Sequence, residues 1–165
     1  MITKIVSGAQ TGADRAGLDV AIRHGFPHGG WCPKGRKAED GPIGGQYQLV
    51  ETPSASYLQR TEWNARDSDG TVVFTLARRV SGGSLRTIEF AKKHGKPCIH
   101  ISLADYIPSV TLQGFVEDYE IKVLNVAGSR ETKEPGIWKW AYQVIENSFF
   151  WGQAHPGKLG GPGEG

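Results

Sequence analysis

Val6-Ser7-Gly8-Ala9-Gln10-Thr11-Gly12-Ala13-Asp14-Arg15 changes character twice within ten residues. A short apolar run, Ile2 to Ser7, ends in a turn of small residues. A helical pattern then begins, with Ala13, Ala16, Gly17, Val20 and Ala21 on one face at 3.6-residue spacing. The unpaired N–H groups of a helix's first turn, at the positive end of its dipole, favour an anion. Gly8 and Gly12 carry no side chain to hold a phosphate away from the backbone. Thr11 and Asp14, spaced T-x-x-D, are expected to form a capping box that fixes the helix start. A tight strand-to-helix turn that binds nothing has the same signature. The spacing is neither GxGxxG nor a Walker loop with its Lys-Ser/Thr, which disfavours dinucleotide and NTPase readings.

Outward from this junction the same rhythm repeats. Strands are expected at Ile2–Ser7, Gly70–Leu76, Pro97–Ser102 and Ile121–Val126, with a weaker one over Phe26–Trp31. They are short and rich in β-branched residues, without strict alternation, as suits parallel strands covered on both faces. Helices are expected over Gly12–His24, Ala55–Ala65, Ser84–His94, Leu112–Glu120 and Gly136–Phe150. Alternation of this kind specifies an α/β fold, a Rossmann-like three-layer α/β/α sandwich with a mainly parallel sheet. Residues 1–151 read as one ligand-binding domain, and 152–165 as a flexible, glycine-rich tail. Residues 32–54, with three prolines and mixed charges, read as a long surface loop.

A second strand–glycine–helix junction follows Gly70–Leu76, at Ser81-Gly82-Gly83-Ser84, with Thr87 one turn on. In a parallel sheet both junctions lie at the carboxyl ends of strands, where ligands bind. A third junction, Gly128-Ser129-Arg130-Glu131, is able to bring Ser129 and the bidentate guanidinium of Arg130 to the same crevice. A surface Arg130 paired with Glu131 is equally compatible with the sequence. Lys34, Arg36 and Lys37 are candidates for a basic lid, against a default of solvated charges. Asp67 and Asp69 either receive the amino-pyrimidine edge of a pterin or guanine or, more simply, close a turn. His24 and His94 fall in last helical turns, where the dipole favours them. Trp138, Trp140, Phe149, Phe150 and Trp151 suit either a subunit contact or a core helix.

Composition narrows the classes further. The 165 residues are 38% hydrophobic and 22% charged, the balance of a folded domain. The net charge of +2, without any long basic run, leaves no electrostatic footprint for duplex DNA. Cys32 and Cys98 stand far apart, as reduced cytosolic thiols do, and show no metal-ligand spacing. The chain enters a strand run at once, without a signal peptide, and no apolar stretch nears the ~20 residues of a bilayer span. A cytoplasmic protein with a small phosphate-bearing ligand, and with neither nucleic acid nor membrane as partner, is the expectation.

The ordered set Gly8-Ala9-Gln10-Thr11-Gly12-Ala13-Asp14-Arg15, Gly30-Trp31-Cys32-Pro33-Lys34-Gly35-Arg36, Asp67-Ser68-Asp69-Gly70-Thr71, Ser81-Gly82-Gly83-Ser84 and Gly128-Ser129-Arg130-Glu131 resembles the bacterial molybdenum cofactor carrier proteins. These are relatives of the lysine-decarboxylase-like nucleoside phosphoribohydrolases. The resemblance spans about residues 3–150. It implies a homo-oligomer, dimer or tetramer, that binds the molybdenum cofactor (molybdopterin) without turnover. The cofactor is an anionic, phosphate-bearing pyranopterin whose own dithiolene holds the metal, so no protein-bound metal is implied. A molybdoenzyme or a cofactor-biosynthesis protein would then be donor or acceptor. The enzyme relatives carry P-G-G-x-G-T-x-x-E. Here Ser81-Gly82-Gly83-Ser84-Leu85-Arg86-Thr87-Ile88-Glu89 lacks the Pro and the third Gly, and Thr87 lies one residue closer to Glu89. That rotates Glu89 by about 100° around a helix, so the alternative, a nucleoside-monophosphate hydrolase with Glu89 as its carboxylate, is the weaker reading. A nucleotide-sensing module is a third.

Overall fold

Five apolar runs lie side by side, all parallel, in the computed structural model, which describes residues 1–158. They are β1 (Lys4–Val6), β2 (His28–Gly29), β7 (Gly70–Thr75), β8 (Cys98–Ser102) and β9 (Val123–Gly128), in the order β2-β1-β9-β7-β8. Strand β9 lies between β1 and β7, with Val6 opposite Asn125 and Thr71 opposite the same residue. The ends of β1, β7 and β9 therefore emerge together.

Each later strand is reached through a helix, as a parallel connection requires. The helices are α1 (Ala13–Arg23), α2 (Tyr57–Arg66), α3 (Gly82–Lys93), α4 (Pro108–Asp118) and α5 (Ile137–Phe149). Helices α1, α4 and α5 pack together on one face of the sheet, and α2 and α3 on the other. This is the expected three-layer sandwich. Helix α4 starts four residues before the sequence suggests, because Pro108 suits a first helical turn.

The two faces of the sheet differ in chemistry. Val72, Phe74, Leu124 and Val126 join Ile5, Ile101, Leu112 and Ile145 in the main core. Asn125 stands between Leu124 and Val126 and Thr71 just before Val72, both buried, with Asn125 Nδ2 donating to Thr71 Oγ1 at 3.1 Å. A strand's side chains alternate between faces, so the side under α2 and α3 carries Thr71, Thr75 and Asn125 beside Val73 and Ala127. That is the side that opens.

Residues 32–54 are not a plain surface loop. They contain β3 (Trp31–Cys32) paired with β6 (Val50–Glu51), and β4 (Lys37–Ala38) paired with β5 (Gly41–Pro42). The expected strand Phe26–Trp31 divides at Gly30, β2 staying in the main sheet while β3 leaves it. Cys32, Ala38, Ile43 and Tyr47 pack on Ala9 and Leu18 as a second apolar cluster. Tyr47 Oη donates to Asp19 on α1 at 2.6 Å, locking the segment down.

The aromatic residues of the last helix serve the core. Trp140 meets Phe74 edge-on at 5.8 Å, Phe150 is buried, and Trp138 Nε1 donates to Asp19 at 2.8 Å. Trp151 opens a four-residue helix, α6 (Trp151–Ala154), so the expected tail from 152 begins inside a helix. Its last part, 159–165, lies outside the described residues. Among the described residues no helix is long and apolar enough to cross a membrane.

Candidate functional site

A cleft of about 260 Å³ opens where β1, β9 and β7 end beneath α2 and α3. Of the candidates named from the sequence, Gly8, Gln10, Asp14, Ser81's neighbours Gly82, Gly83, Ser84 and Thr87, and Ser129 and Arg130 line it. Arg60, Thr61, Asn125 and Lys133 join them without having been anticipated. The volume falls just below the usual range of small-molecule sites, about 300–1,000 Å³.

At the α3 side of the cleft the backbone is open. Ser81 precedes the helix without a side-chain cap, and the N–H groups of Gly82, Gly83 and Ser84 have no partner among the described residues. A methyl group built on Gly83 would touch nothing within 4 Å. Lys133 Nζ donates to Ser81 Oγ at 2.9 Å and to Ser81 O at 3.3 Å, so an ammonium already stands at this helix start. Thr87 Oγ1 is turned back onto Gly83 O at 3.1 Å. Three free donors at the positive end of a twelve-residue helix, with a lysine beside them, are the arrangement that favours an anion on general grounds.

At the α1 side two of the three corresponding groups are already used. The N–H of Ala13 donates to Ser129 O and that of Arg15 to Gln10 O, both at 3.1 Å. The residue before the helix is Gly12, and no side chain caps it, so the expected Thr11–Asp14 box does not form. Thr11 instead hydrogen-bonds Glu39 and accepts the N–H of Glu131. The Asp14 carboxylate accepts the N–H of Gln10 at 3.4 Å. The protein's own groups thus occupy the Ala13 and Arg15 donors of this helix start.

The two glycines of this loop have reasons other than a ligand. A Cβ on Gly8 would lie 2.5 Å from Arg60 Nη1, whose guanidinium donates to Gly8 O at 2.8 Å. A Cβ on Gly12 would lie 2.3 Å from Ser129 O, and Gly12 has φ +81°. Gly8 admits a buried arginine, and Gly12 admits the backbone of the β9–α5 connection. Thr11, Gly12 and Arg15 line a separate hollow of about 530 Å³ with Glu39, Asp40 and Trp138. Arg15 is spent there on Asp40, at 2.5 Å, and on Ala9 O.

The β9–α5 connection ties the parts together. Besides Ser129 O and Lys133, it contributes Glu134, which accepts the N–H groups of Leu76 and Ala77 and the hydroxyl of Ser129. Partial burial acts against that charge, but the three donors together hold the Glu134 carboxyl below its ordinary pKa. Arg130 faces Glu39 at 3.8 Å, not Glu131.

The remaining candidates fall elsewhere. Arg36 donates to the carbonyls of Ile43, Gly44 and Tyr47, Lys37 lies over the Tyr57 ring at 5.0 Å, and Lys34 is exposed. None of the three lines the cleft, so they form no lid over it. Asp69 accepts the N–H groups of Lys122 and Val123 at the opposite end of the sheet. Asp67 pairs with Arg66 and Trp31 Nε1. Neither aspartate lines the cleft. Glu89 is about half exposed and 3.7 Å from Arg86, away from the cleft. Among the described residues no group of three or more His, Cys, Asp or Glu side chains is placed to hold a metal.

Arg60 carried a signal that was there to be read. With Asn64 it sits at i, i+4 on the buried side of α2, where an amphipathic helix ordinarily places apolar residues. Asn64 uses the position to exchange two hydrogen bonds with the backbone of Trp31. Lys133, a single lysine in a connection, carried none.

A parallel α/β sandwich with a cleft at the carboxyl ends of β1, β9 and β7 and an uncapped glycine helix start defines a protein of Rossmann-like fold, and in such folds that position is where ligands bind. The family model for the circularly permutated YpsA SLOG family matches residues 5–149, and the chain belongs to that family. A crystal structure of a protein from Syntrophus aciditrophicus SB, provisionally named a molybdenum carrier protein, is 45% identical. That alignment covers 90% of this chain and 95% of the other, with a TM-score of 0.87. It agrees with the resemblance drawn from the sequence. No curated protein matches the chain.

Proposed function

We propose that this protein binds a phosphate-bearing pterin, the molybdenum cofactor, and carries it without chemical change. The observation that carries the reading is the open start of α3, where the N–H groups of Gly82, Gly83 and Ser84 and the Lys133 ammonium converge on one cleft. The terminal phosphate of the cargo would rest there. Gln10 supports a ligand deeper in: it lines the cleft, is 5% exposed, and its Nε2 has no partner among the described residues. Its Oε1 already accepts from Thr11 and Glu39 N–H groups, which fixes the amide so that Nε2 is a waiting donor. A buried donor left unpaired costs about 1–3 kcal/mol, an imbalance that a ligand acceptor would remove.

The name of the 45% identical protein, a molybdenum carrier, supports a molybdenum-bearing cargo. Carriage rather than hydrolysis is favoured because Glu89, the carboxylate that the enzyme relatives would use, points away from the cleft. The test is retention. Protein mixed with freshly released cofactor and passed through gel filtration should co-elute with pterin fluorescence and stoichiometric molybdenum. Absence of both from the protein peak contradicts the reading, as does release of free base from a nucleoside monophosphate.

A further inference from the structure

Asp14 is a carboxylate inside a cleft otherwise arranged for anions. It is 8% exposed and lines the same cleft as Gly82, Gly83 and Lys133. Its Oδ2 accepts the Gln10 N–H at 3.4 Å and stands 3.7 Å from Arg60 Nη1. Its Oδ1 accepts no hydrogen bond among the described residues. The charged residues lining the cleft are Asp14 from α1, Arg60 from α2, and Arg130 and Lys133 from the β9–α5 connection. The strands and α3 contribute none. Arg15, on Asp14's own helix, is engaged with Asp40. No histidine lines the cleft.

We propose that Asp14 couples the cleft's occupancy to a proton: the carboxylate is ionised while the cleft is empty and is protonated when an anion settles at the start of α3. Ionised, Asp14 cancels the charge of Arg60 and repels an incoming anion. Protonated, it leaves the Arg60 guanidinium uncompensated beside the ligand, and its O–H becomes a donor. Loading is thereby favoured in mild acid and unloading in mild alkali. Burial pushes the Asp14 carboxyl up to about 6, with Arg60, the Gln10 N–H, Arg15 and Arg130 offsetting it only in part. The proton is thus exchanged close to neutrality. Linkage makes the effect reciprocal: the factor by which an anion strengthens proton binding equals the factor by which protonation strengthens anion binding.

The inference rests on the anion site proposed above, and sulfate separates the two, because its own charge is constant across the range used. Sulfate is titrated into the full-length protein from pH 5 to pH 8. Binding should be about fivefold or more tighter at pH 5 than at pH 8, within the usual span of such couplings. The Asp14→Asn variant should bind equally at every pH. An unchanged affinity in the wild type, or an Asp14→Asn variant that keeps the slope, overturns the proposal. Where that variant fails to fold, the Asp14 carboxyl carbon is titrated by NMR in the wild type, free and sulfate-saturated. Its pKa should rise with sulfate, and an unchanged value overturns the coupling. Failure of sulfate to bind at any pH overturns the anion site itself.

Discussion

At the end of β1 the chain turns through Gly8 and Gly12 into α1, and at the end of β7 it turns through Gly82 and Gly83 into α3. The two junctions share a strand, a pair of glycines and a helix start, and β9 is the only strand between them. In the first, the space left by each missing side chain is filled, by Arg60 against Gly8 and by the Ser129–Glu131 backbone against Gly12. In the second, Gly83 faces open space and Gly82 meets only the far end of Lys133. A glycine in a strand-to-helix turn therefore does not say by itself whether it admits the protein's own atoms, takes up a positive φ as Gly82 does at +57°, or leaves open space as Gly83 does.

The sharpest way to break this comparison is to place a side chain at each junction. Gly12→Val forces a β-branched residue into φ +81° and against a backbone oxygen. It should cost about 3 kcal/mol or more in unfolding experiments, as strain and overpacking combined do. Gly83→Glu should do the reverse. It adds a carboxylate where there is room and where the helix dipole favours it, by about 0.3–1 kcal/mol. Thermal stability should hold or rise slightly, while sulfate binding at the start of α3 is lost. A Gly83→Glu protein that binds sulfate as well as the wild type would erase the distinction.

Smaller changes sharpen it. Lys133→Met removes the ammonium beside Ser81 and should weaken sulfate binding about tenfold, the scale of one charged hydrogen bond, without altering the fold by circular dichroism. Lys34→Ala, on an exposed lysine outside the cleft, should leave affinity unchanged and stability within about 0.5 kcal/mol. A marked loss of binding in that variant would restore the basic lid that the structure does not form.

The layered fold was legible because β7, β8 and β9 are concentrated apolar runs and because glycines at 25 and 95 stop the helices that precede β2 and β8. The segment 32–54 was not. Its strands are two residues each, and Cys32, Ala38, Ile43 and Tyr47 are too widely spaced to show a period, although they close a cluster on Leu18. Of the cleft's lining, Gly82–Ser84, Thr87, Ser129 and Arg130 are marked in the sequence as hydroxyls, glycines and a cation that follow strands. At Gly12 the sequence reports a missing Cβ and not its neighbour, which is the Ser129 carbonyl. Arg60 and Lys133 come from α2 and from a connection, and only the tertiary fold brings them to the junctions.

Amide chemical shifts of the ¹⁵N-labelled protein titrated with sulfate at pH 5.5 test the central claim most directly. The resonances of Gly82, Gly83 and Ser84 should move together along one saturating curve while that of Ala13, already bonded to Ser129 O, stays in place. Saturating shifts at Ala13 with none at Gly83 would put the anion on α1 and contradict the assignment.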